Sequence, residues 1–117
     1  MAHTKLDPAV MLVLTNVPDE ASADLLEHRL LGEGLVACVN RLAEVSSRYH
    51  WNGQVEEARE IPLLFKTVAT RYDELEKRIG ELHPYEVPEV VAWHAARVSA
   101  AYAEWVAQCC ANPSRLV

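Results

Sequence analysis

Residues 48–56 read RYHWNGQVE, and this stretch decides the fold. Asn52-Gly53 near its centre is the strongest short signal for a two-residue hairpin turn, because both positions accept a positive φ. The segments on either side, residues 35–67 in all, predict one long hairpin whose arms exceed the usual strand of about five or six residues. Tyr49 and Trp51 share one face of the ascending arm, since side chains alternate along a strand. The hairpin tip should therefore carry aromatic side chains beyond a compact domain.

The hairpin lies in the middle of a regular series of predicted strands and helices. Working outward, the pattern predicts a buried strand at residues 10–14, a helix that opens at residues 18–20 and stops at Gly32 and Gly34, an amphipathic helix at residues 70–83, a strand at residues 87–93 and a helix at residues 99–110. Pro62 lies in the descending arm of the hairpin, where it cannot donate a ladder hydrogen bond. We therefore expect an edge position or a bulge at Pro62.

This order of elements predicts an α+β domain of the ferredoxin-like class. Strand, helix, strand, strand, helix, strand is the split βαβ arrangement, in which one antiparallel sheet carries two helices on one face. The other face of the sheet also needs a cover, and only a short C-terminal helix is left to supply it. A partner subunit is the simplest way to cover this second face of the sheet. The long hairpin also offers edge strands that can pair with a neighbouring subunit. The sequence therefore predicts an oligomer.

Length and composition indicate one soluble domain. The chain has 117 residues and is 50% hydrophobic, so we expect a single domain over residues 1–117, with its core at about residues 10–110. A net charge of −6 and a pI near 5.3 argue against a nucleic-acid or membrane partner. No apolar run reaches the ~18 residues of a membrane span, and residues 1–8 are too polar for a signal peptide. The three cysteines contain no CxxC pair, which suits a reducing compartment, so we expect a cytoplasmic protein.

Residues 83–89 read HPYEVPE and form the strongest candidate for a site. Each of the two prolines fixes its own φ and moves the preceding residue out of the α region, so the path of the segment is unusually well determined. An imidazole, a phenol and two carboxylates are thus held on a stiff connection between a helix and a strand. The alternative is a rigid turn, in which Pro84 ends the helix, Tyr85 fills the core and both glutamates are solvated.

Four segments, in the same order and spacing, resemble the CutA divalent-cation-tolerance family. They are ACVN at residues 37–40, YHWNGQVE at 49–56, KT at 66–67 and ELHPYEVPE at 81–89, of which the last is specific. The resemblance covers roughly residues 10–108. It implies a ferredoxin-like protomer in a tight homotrimer, with the hairpins reaching between subunits much as in the PII signalling trimers. It also implies a cytoplasmic protein associated with tolerance to copper and other divalent metals, with no defined reaction and no organic cofactor.

Any metal site would have to be assembled by the fold. None of the cysteines and histidines lies in a spacing that builds a closed site within one element, such as HExxH or paired CxxC. In the CutA family, copper ligation is linked to the histidine before the Pro-Tyr pair, which is His83 here, and to a cysteine that ends the first strand. Thr15 occupies the matching position, and a hydroxyl is a far poorer ligand than a thiolate. His83 is thus the residue assigned to copper(II) or another divalent cation.

A pocket between subunits is the second candidate site. Its expected lining is Cys38, Tyr49, Trp51, Lys66, His83, Tyr85, Glu86 and Glu89. Mixed charge, aromatic faces and a thiol would suit a small anionic or zwitterionic ligand. The alternative is that Lys66 and Glu89 pair, Cys38 is buried and the aromatic residues fill a trimer core. Cys38 and His83 are the only residues that suggest a nucleophile with its general base. No pattern around Cys38 indicates an activated thiol, so no catalytic residue is predicted.

These observations predict a homotrimeric cytoplasmic divalent-cation tolerance protein, of a metal-binding or signalling type and without catalysis. Two alternatives stay open: an enzyme or small-molecule sensor that uses the inter-subunit pocket, and a trimeric scaffold that holds other proteins. Thermal stabilisation by small anions would favour the pocket, whereas its absence would favour the scaffold.

Overall fold

A computed structural model describes residues 9–111 of the chain. Its elements, in chain order, are β1 (Val10–Val17), α1 (Glu20–Gly32), β2 (Cys38–Arg41), β3 (Val45–Trp51), β4 (Gln54–Val68), a 3₁₀ turn (Ala69–Arg71), α2 (Tyr72–Leu82), β5 (Val91–His94) and α3 (Ala100–Ala111). Within these residues, no helix is both long and apolar enough to cross a membrane. The predicted single domain includes residues 1–8 and 112–117, which lie outside the described part.

One antiparallel sheet organises the molecule, with its strands in the order β2, β4, β1, β5. β1 lies between two partners, so that Leu12 is opposite Lys66 of β4 on one side and Trp93 of β5 on the other. Strand order and element order together are those of a ferredoxin-like α+β fold, and the predicted fold class is confirmed. The last strand of this sheet is shorter than predicted, because it begins at Val91 rather than at residue 87.

β3 and the first part of β4 form the predicted long hairpin. Asn52 and Gly53 turn the chain with φ values of 53° and 75°, as the two-residue turn requires. Pairing extends from this turn down to Val45, which lies opposite Glu60. The other edge of β3 has no strand partner within residues 9–111. The hairpin therefore presents unpaired backbone N–H and C=O groups along one side.

A bulge separates the hairpin from the rest of the sheet, and Pro62 explains its position. Arg41 of β2 pairs with Leu63, whereas Val45 of β3 pairs with Glu60, so the ascending arm contains one residue more than the descending arm. The Pro62 carbonyl accepts a hydrogen bond of 2.9 Å from the ascending arm, but proline has no N–H to donate in return. The predicted bulge is confirmed. The predicted edge position is wrong, because β4 lies between β1 and β2.

α1 and α2 cover one face of the sheet and enclose the main core. Asp19 caps α1 by accepting a hydrogen bond of 2.8 Å from the Ser22 N–H, and Gly34, with φ of 71°, reverses the chain after it. The buried side chains between helices and sheet include Val13, Val17, Leu26, Leu30, Leu35, Leu63, Phe65, Leu75 and Ile79. Thr15 is also fully buried, and its hydroxyl has no hydrogen-bond partner among residues 9–111.

Within residues 9–111, the opposite face of the sheet is only partly covered. α3 packs Val106 and Cys110 against Val10, Ala37 and Val68 at one end of this face. The rest of the face carries half-buried or exposed apolar side chains, with Val91 and Trp93 49% and 45% exposed. We call this surface the open face, and it consists of Leu12, Leu14, Leu64, Val91 and Trp93. A surface of this kind is typical of an interface.

Candidate functional site

α2 ends at Leu82 and holds His83 at the base of the candidate site. His83 has an extended backbone, with φ −74° and ψ 139°, as expected for a residue that precedes proline. Its N–H still donates to the Ile79 carbonyl at 2.8 Å, so the last turn of the helix fixes its position. The residue is only 7% exposed. The local sequence thus places this imidazole inside the protein, against the end of β1.

Both ring nitrogens of His83 are engaged by the backbone. Nε2 lies 2.8 Å from the Asn16 carbonyl oxygen, and since a carbonyl can only accept, Nε2 carries the proton. Nδ1 accepts a hydrogen bond of 3.1 Å from the Tyr85 N–H. The Ala95 N–H donates to the Val10 carbonyl, and alternation along β1 directs the Asn16 carbonyl to the same side, beyond the end of β5. His83 therefore donates to the Asn16 carbonyl the hydrogen bond that a longer β5 would have donated.

This environment keeps His83 neutral. Burial lowers its pKa below the ordinary value of 6.5, and the Asn16 carbonyl and the Glu60 carboxylate oppose this only in part. The Tyr85 N–H acts in the same direction as burial, because a proton on Nδ1 would face another proton. The imidazole is thus fixed in one tautomer, and a metal could bind it only by displacing one of the two hydrogen bonds.

Tyr85 connects the 83–89 segment to the sheet. Its hydroxyl donates to Glu60 Oε2 at 2.8 Å, and its ring centroid lies 4.8 Å from that of His83. Burial raises the pKa of Tyr85, and the hydrogen bond to the Glu60 carboxylate raises it further. Glu60 is itself 7% exposed. Residues 83–89 and β4 therefore bury the Glu60 carboxylate beneath the side chain of Tyr85.

A cleft of about 710 Å³ opens between the hairpin and residues 84–89. Its lining consists of Asn16, Ser47, Arg48, Tyr49, His50, Trp51, Glu56, Glu60, Pro84, Tyr85, Glu86, Val87 and Glu89. Glu56 lies opposite Tyr49, so β3 and β4 contribute side chains from a shared face of the hairpin. At one end, Asn16 Nδ2 donates to Glu89 Oε1 at 3.1 Å, which ties β1 to the far end of the segment. We refer to this space as the cleft.

The cleft brings together most of the residues that the sequence proposed for a pocket. Tyr49, Trp51, Tyr85, Glu86 and Glu89 line it, all from one chain. His83 does not line it but lies beneath it, in contact with the ring of Tyr85. Tyr49 and Trp51 therefore share a space with Tyr85 although they precede it by more than thirty residues in sequence.

Cys38 and Lys66 lie elsewhere in the chain and do not line the cleft. They are opposite each other on β2 and β4. The Cys38 thiol lies 3.3 Å from the Tyr102 hydroxyl of α3, a contact that raises the pKa of Tyr102 to about 12, and the Lys66 ammonium donates to the Asn40 side chain. The proposed anionic or zwitterionic ligand depended on Lys66, so this charge argument does not apply to the cleft.

Sequence reasoning missed Glu60, Asn16 and Glu56 as members of the site. Glu60 directly precedes the buried run at residues 61–65, and its burial comes from Tyr85, a contact that no local pattern encodes. Asn16 had a weak signal, as a polar residue at the end of the first predicted strand. Glu56 enters because it lies opposite Tyr49 in the hairpin, a pairing that the position of the turn does predict.

The residues present do not fit a divalent metal. Within residues 9–111, no group of three histidine, cysteine, aspartate or glutamate side chains is arranged to hold an ion. Both nitrogens of His83 are already hydrogen-bonded, and Thr15, at the position of the copper-linked cysteine, is enclosed in the core. A divalent transition metal needs several convergent ligands, and one chain does not offer them here.

Comparison with known proteins shows a consistent likeness over almost the whole described chain. The family described as CutA1 divalent ion tolerance protein matches residues 11–109. The divalent-cation tolerance protein CutA of Thermus thermophilus is 40% identical over 95 residues, which is 81% of this chain and 92% of that protein. The crystal structure of CutA from Xylella fastidiosa has a TM-score of 0.83 and 35% identity, covering 86% of this chain and 96% of that one. CutA1 from Ehrlichia chaffeensis, at 24% identity, shares the fold with a TM-score of 0.85, covering 91% of this chain and 99% of that one.

Proposed function

The chain belongs to the CutA1 divalent ion tolerance protein family, and we propose that it acts as a homotrimeric binding protein of the cytoplasm. In this proposal it supports tolerance to divalent cations, copper among them, without catalysing a reaction of its own. The role is of a metal-binding or signalling type.

The open face carries this proposal. Leu14, Leu64 and Val91 form one row across three strands, and Leu12 and Trp93 lie in the next row. Large apolar side chains at 45–49% exposure on a sheet face favour burial against another subunit. The free edge of β3 adds unpaired backbone groups that a neighbouring strand could satisfy. The resemblance to the CutA family supports three copies, and the exposed apolar side chains of the open face support a partner subunit.

Assembly is tested by light scattering on the full chain. We expect a mass about three times the 13.1 kDa of one chain, and we expect Trp93→Glu to lower it, because a charge would have to be buried in the interface. Leu31→Glu is the matched control, since Leu31 is 39% exposed on α1, away from the sheet. It should leave the mass unchanged. A wild-type mass of one chain would contradict the proposal.

Copper is tested separately, by isothermal titration with copper(II) and with zinc(II) for comparison. Because ligation by His83 requires breaking the hydrogen bond from Tyr85 or to Asn16, we expect the copper(II) affinity of His83→Gln to equal that of the wild type. A loss of affinity of tenfold or more in His83→Gln would instead assign His83 as a copper ligand. His28→Gln, on the outer surface of α1, controls for the general loss of an imidazole.

A further inference from the structure

The open face carries an uncompensated positive charge at one end. Lys66 lies opposite Leu12 and two residues after Leu64, so its half-buried side chain projects from the same side of the sheet as these leucines. Its ammonium donates to the Asn40 side chain, which is neutral, and it forms no salt bridge within residues 9–111. A cover over the open face would therefore bury this ammonium next to one neutral acceptor.

An uncompensated negative charge lies at the other end of the open face. Asn16 follows Leu14 by two residues on β1, and its amide donates to the Glu89 carboxylate at 3.1 Å, so Glu89 borders the open face where it meets the cleft. Glu89 forms no salt bridge within the described part of the chain. Leu12 and Asn16 are four residues apart, about 13 Å in an extended strand. The open face therefore has an apolar middle, an ammonium at one end and a carboxylate at the other.

A single chain does not pair these two charges. They lie at different levels along β1 and on opposite sides of it, because β4 flanks β1 on one side and β5 on the other. The Lys66 ammonium is also directed towards β2, where Asn40 accepts its hydrogen bond. Burying either charge without an opposite charge is costly, and one neutral hydrogen bond offsets only part of that cost. A covering surface must therefore bring an opposite charge to each end of the open face.

We propose that the covering surface is a second copy of this chain, whose Lys66 pairs with Glu89 at the end of the cleft. Charge complementarity selects this occupant, because each copy presents both members of the pair on either side of an apolar patch. A partner with charges of one sign at both ends would leave one of the two groups buried and unpaired. The neighbouring subunit thus contributes a residue that completes the cleft. This inference rests on the assembly proposed above and specifies the charge pair that aligns the copies.

Carbodiimide coupling of the full chain tests this contact, because the reagent forms an amide only between a carboxylate and an ammonium group that touch. The assembly is formed by unfolding and refolding an equal mixture of isotope-labelled and unlabelled chains. We expect peptides joined at Lys66 and Glu89, with labelled peptides joined to unlabelled ones as often as to labelled ones. Lys77 and Glu81, which are 3.3 Å apart on α2, are the control and should be joined only within one chain. Coupling of the control pair without a link from Lys66 to Glu89 would overturn the inference.

Charge reversal measures what the pair contributes to assembly. Lys66→Glu and Glu89→Lys each place like charges opposite each other, and we expect each to weaken association by about tenfold or more in light scattering over a dilution series. The double variant restores the pair in the reversed sense and should recover most of this loss. Lys77→Glu, on the exposed surface of α2, is the matched control and should associate as the wild type does.

The double variant carries the decisive comparison. If its association is weakened by the combined effects of the two single variants, Lys66 and Glu89 do not meet and the inference is wrong. Single variants that associate as the wild type does would mean that both groups stay in solvent at the rim of the interface, which also refutes it. A stable trimer without the link refutes this inference alone, whereas a monomeric wild type contradicts the assembly proposal as well.

Discussion

Phe65→Ala should lower the free energy of unfolding by about 3–5 kcal/mol, the usual cost of removing a buried phenyl ring. Phe65 is fully buried on β4, the strand that pairs with β1, β2 and β3, and it is the largest fully buried side chain among the described residues. The phenyl ring packs between the sheet and the two helices, so its loss leaves a cavity that rigid neighbours on three strands cannot close. Urea unfolding of both proteins measures the difference.

The unfolding experiment needs a fixed protein concentration, because assembly adds to the apparent stability of any oligomer. Leu31→Ala is a suitable control, since it truncates a large apolar side chain that is 39% exposed on α1. We expect it to change the free energy of unfolding by less than about 0.5 kcal/mol. A loss of less than about 1 kcal/mol in Phe65→Ala would show that the core is not organised around β4.

The parts of the fold that the sequence predicted correctly depend on local rules. Asn52-Gly53 favours its two-residue turn from local backbone preference alone, and the missing N–H of Pro62 predicts an interrupted hydrogen-bond ladder, at an edge or at a bulge. Whether Pro62 lies at an edge or in the centre depends on the partners of β4, which no local rule specifies. The start of β5 was misplaced for a similar reason, because residues 87–90 alternate like a strand but have no partner in the sheet.

The candidate site was predictable only where the backbone is stiff. Tyr49, Trp51, Tyr85, Glu86 and Glu89 line one space within a single chain, because the turn and the prolines determine their paths, and the pocket between subunits stays a prediction. Lys66 does not line the cleft of one chain, because it follows Glu60 by six residues on β4, about 20 Å along an extended strand. Residue type suggested Lys66 as a partner for the carboxylates, and its place in a pocket between subunits stays a prediction.

His83→Leu should lower the free energy of unfolding by about 2–6 kcal/mol, because it leaves two backbone groups without a partner at about 1–3 kcal/mol each. The Asn16 carbonyl loses its donor and the Tyr85 N–H loses its acceptor. His83→Gln retains an N–H donor and should recover part of the loss. Urea unfolding at pH 7 measures all three proteins, with His28→Gln as the exposed control, for which we expect a change of less than about 0.5 kcal/mol.

The pH dependence separates a hydrogen-bonding role of His83 from simple packing. Its pKa in the folded protein is below the unfolded value of 6.5, so between these two values the unfolded chain binds more protons than the folded one. The stability that His83 contributes is therefore complete above pH 6.5 and is lost as the pH falls through the folded pKa. The difference in free energy of unfolding between the wild type and His83→Gln should therefore shrink as the pH falls below 6.5 and through the lowered pKa of His83. A difference that stays constant over this range would mean that the imidazole only fills space, and the neutral tautomer assigned to His83 would then have no energetic basis.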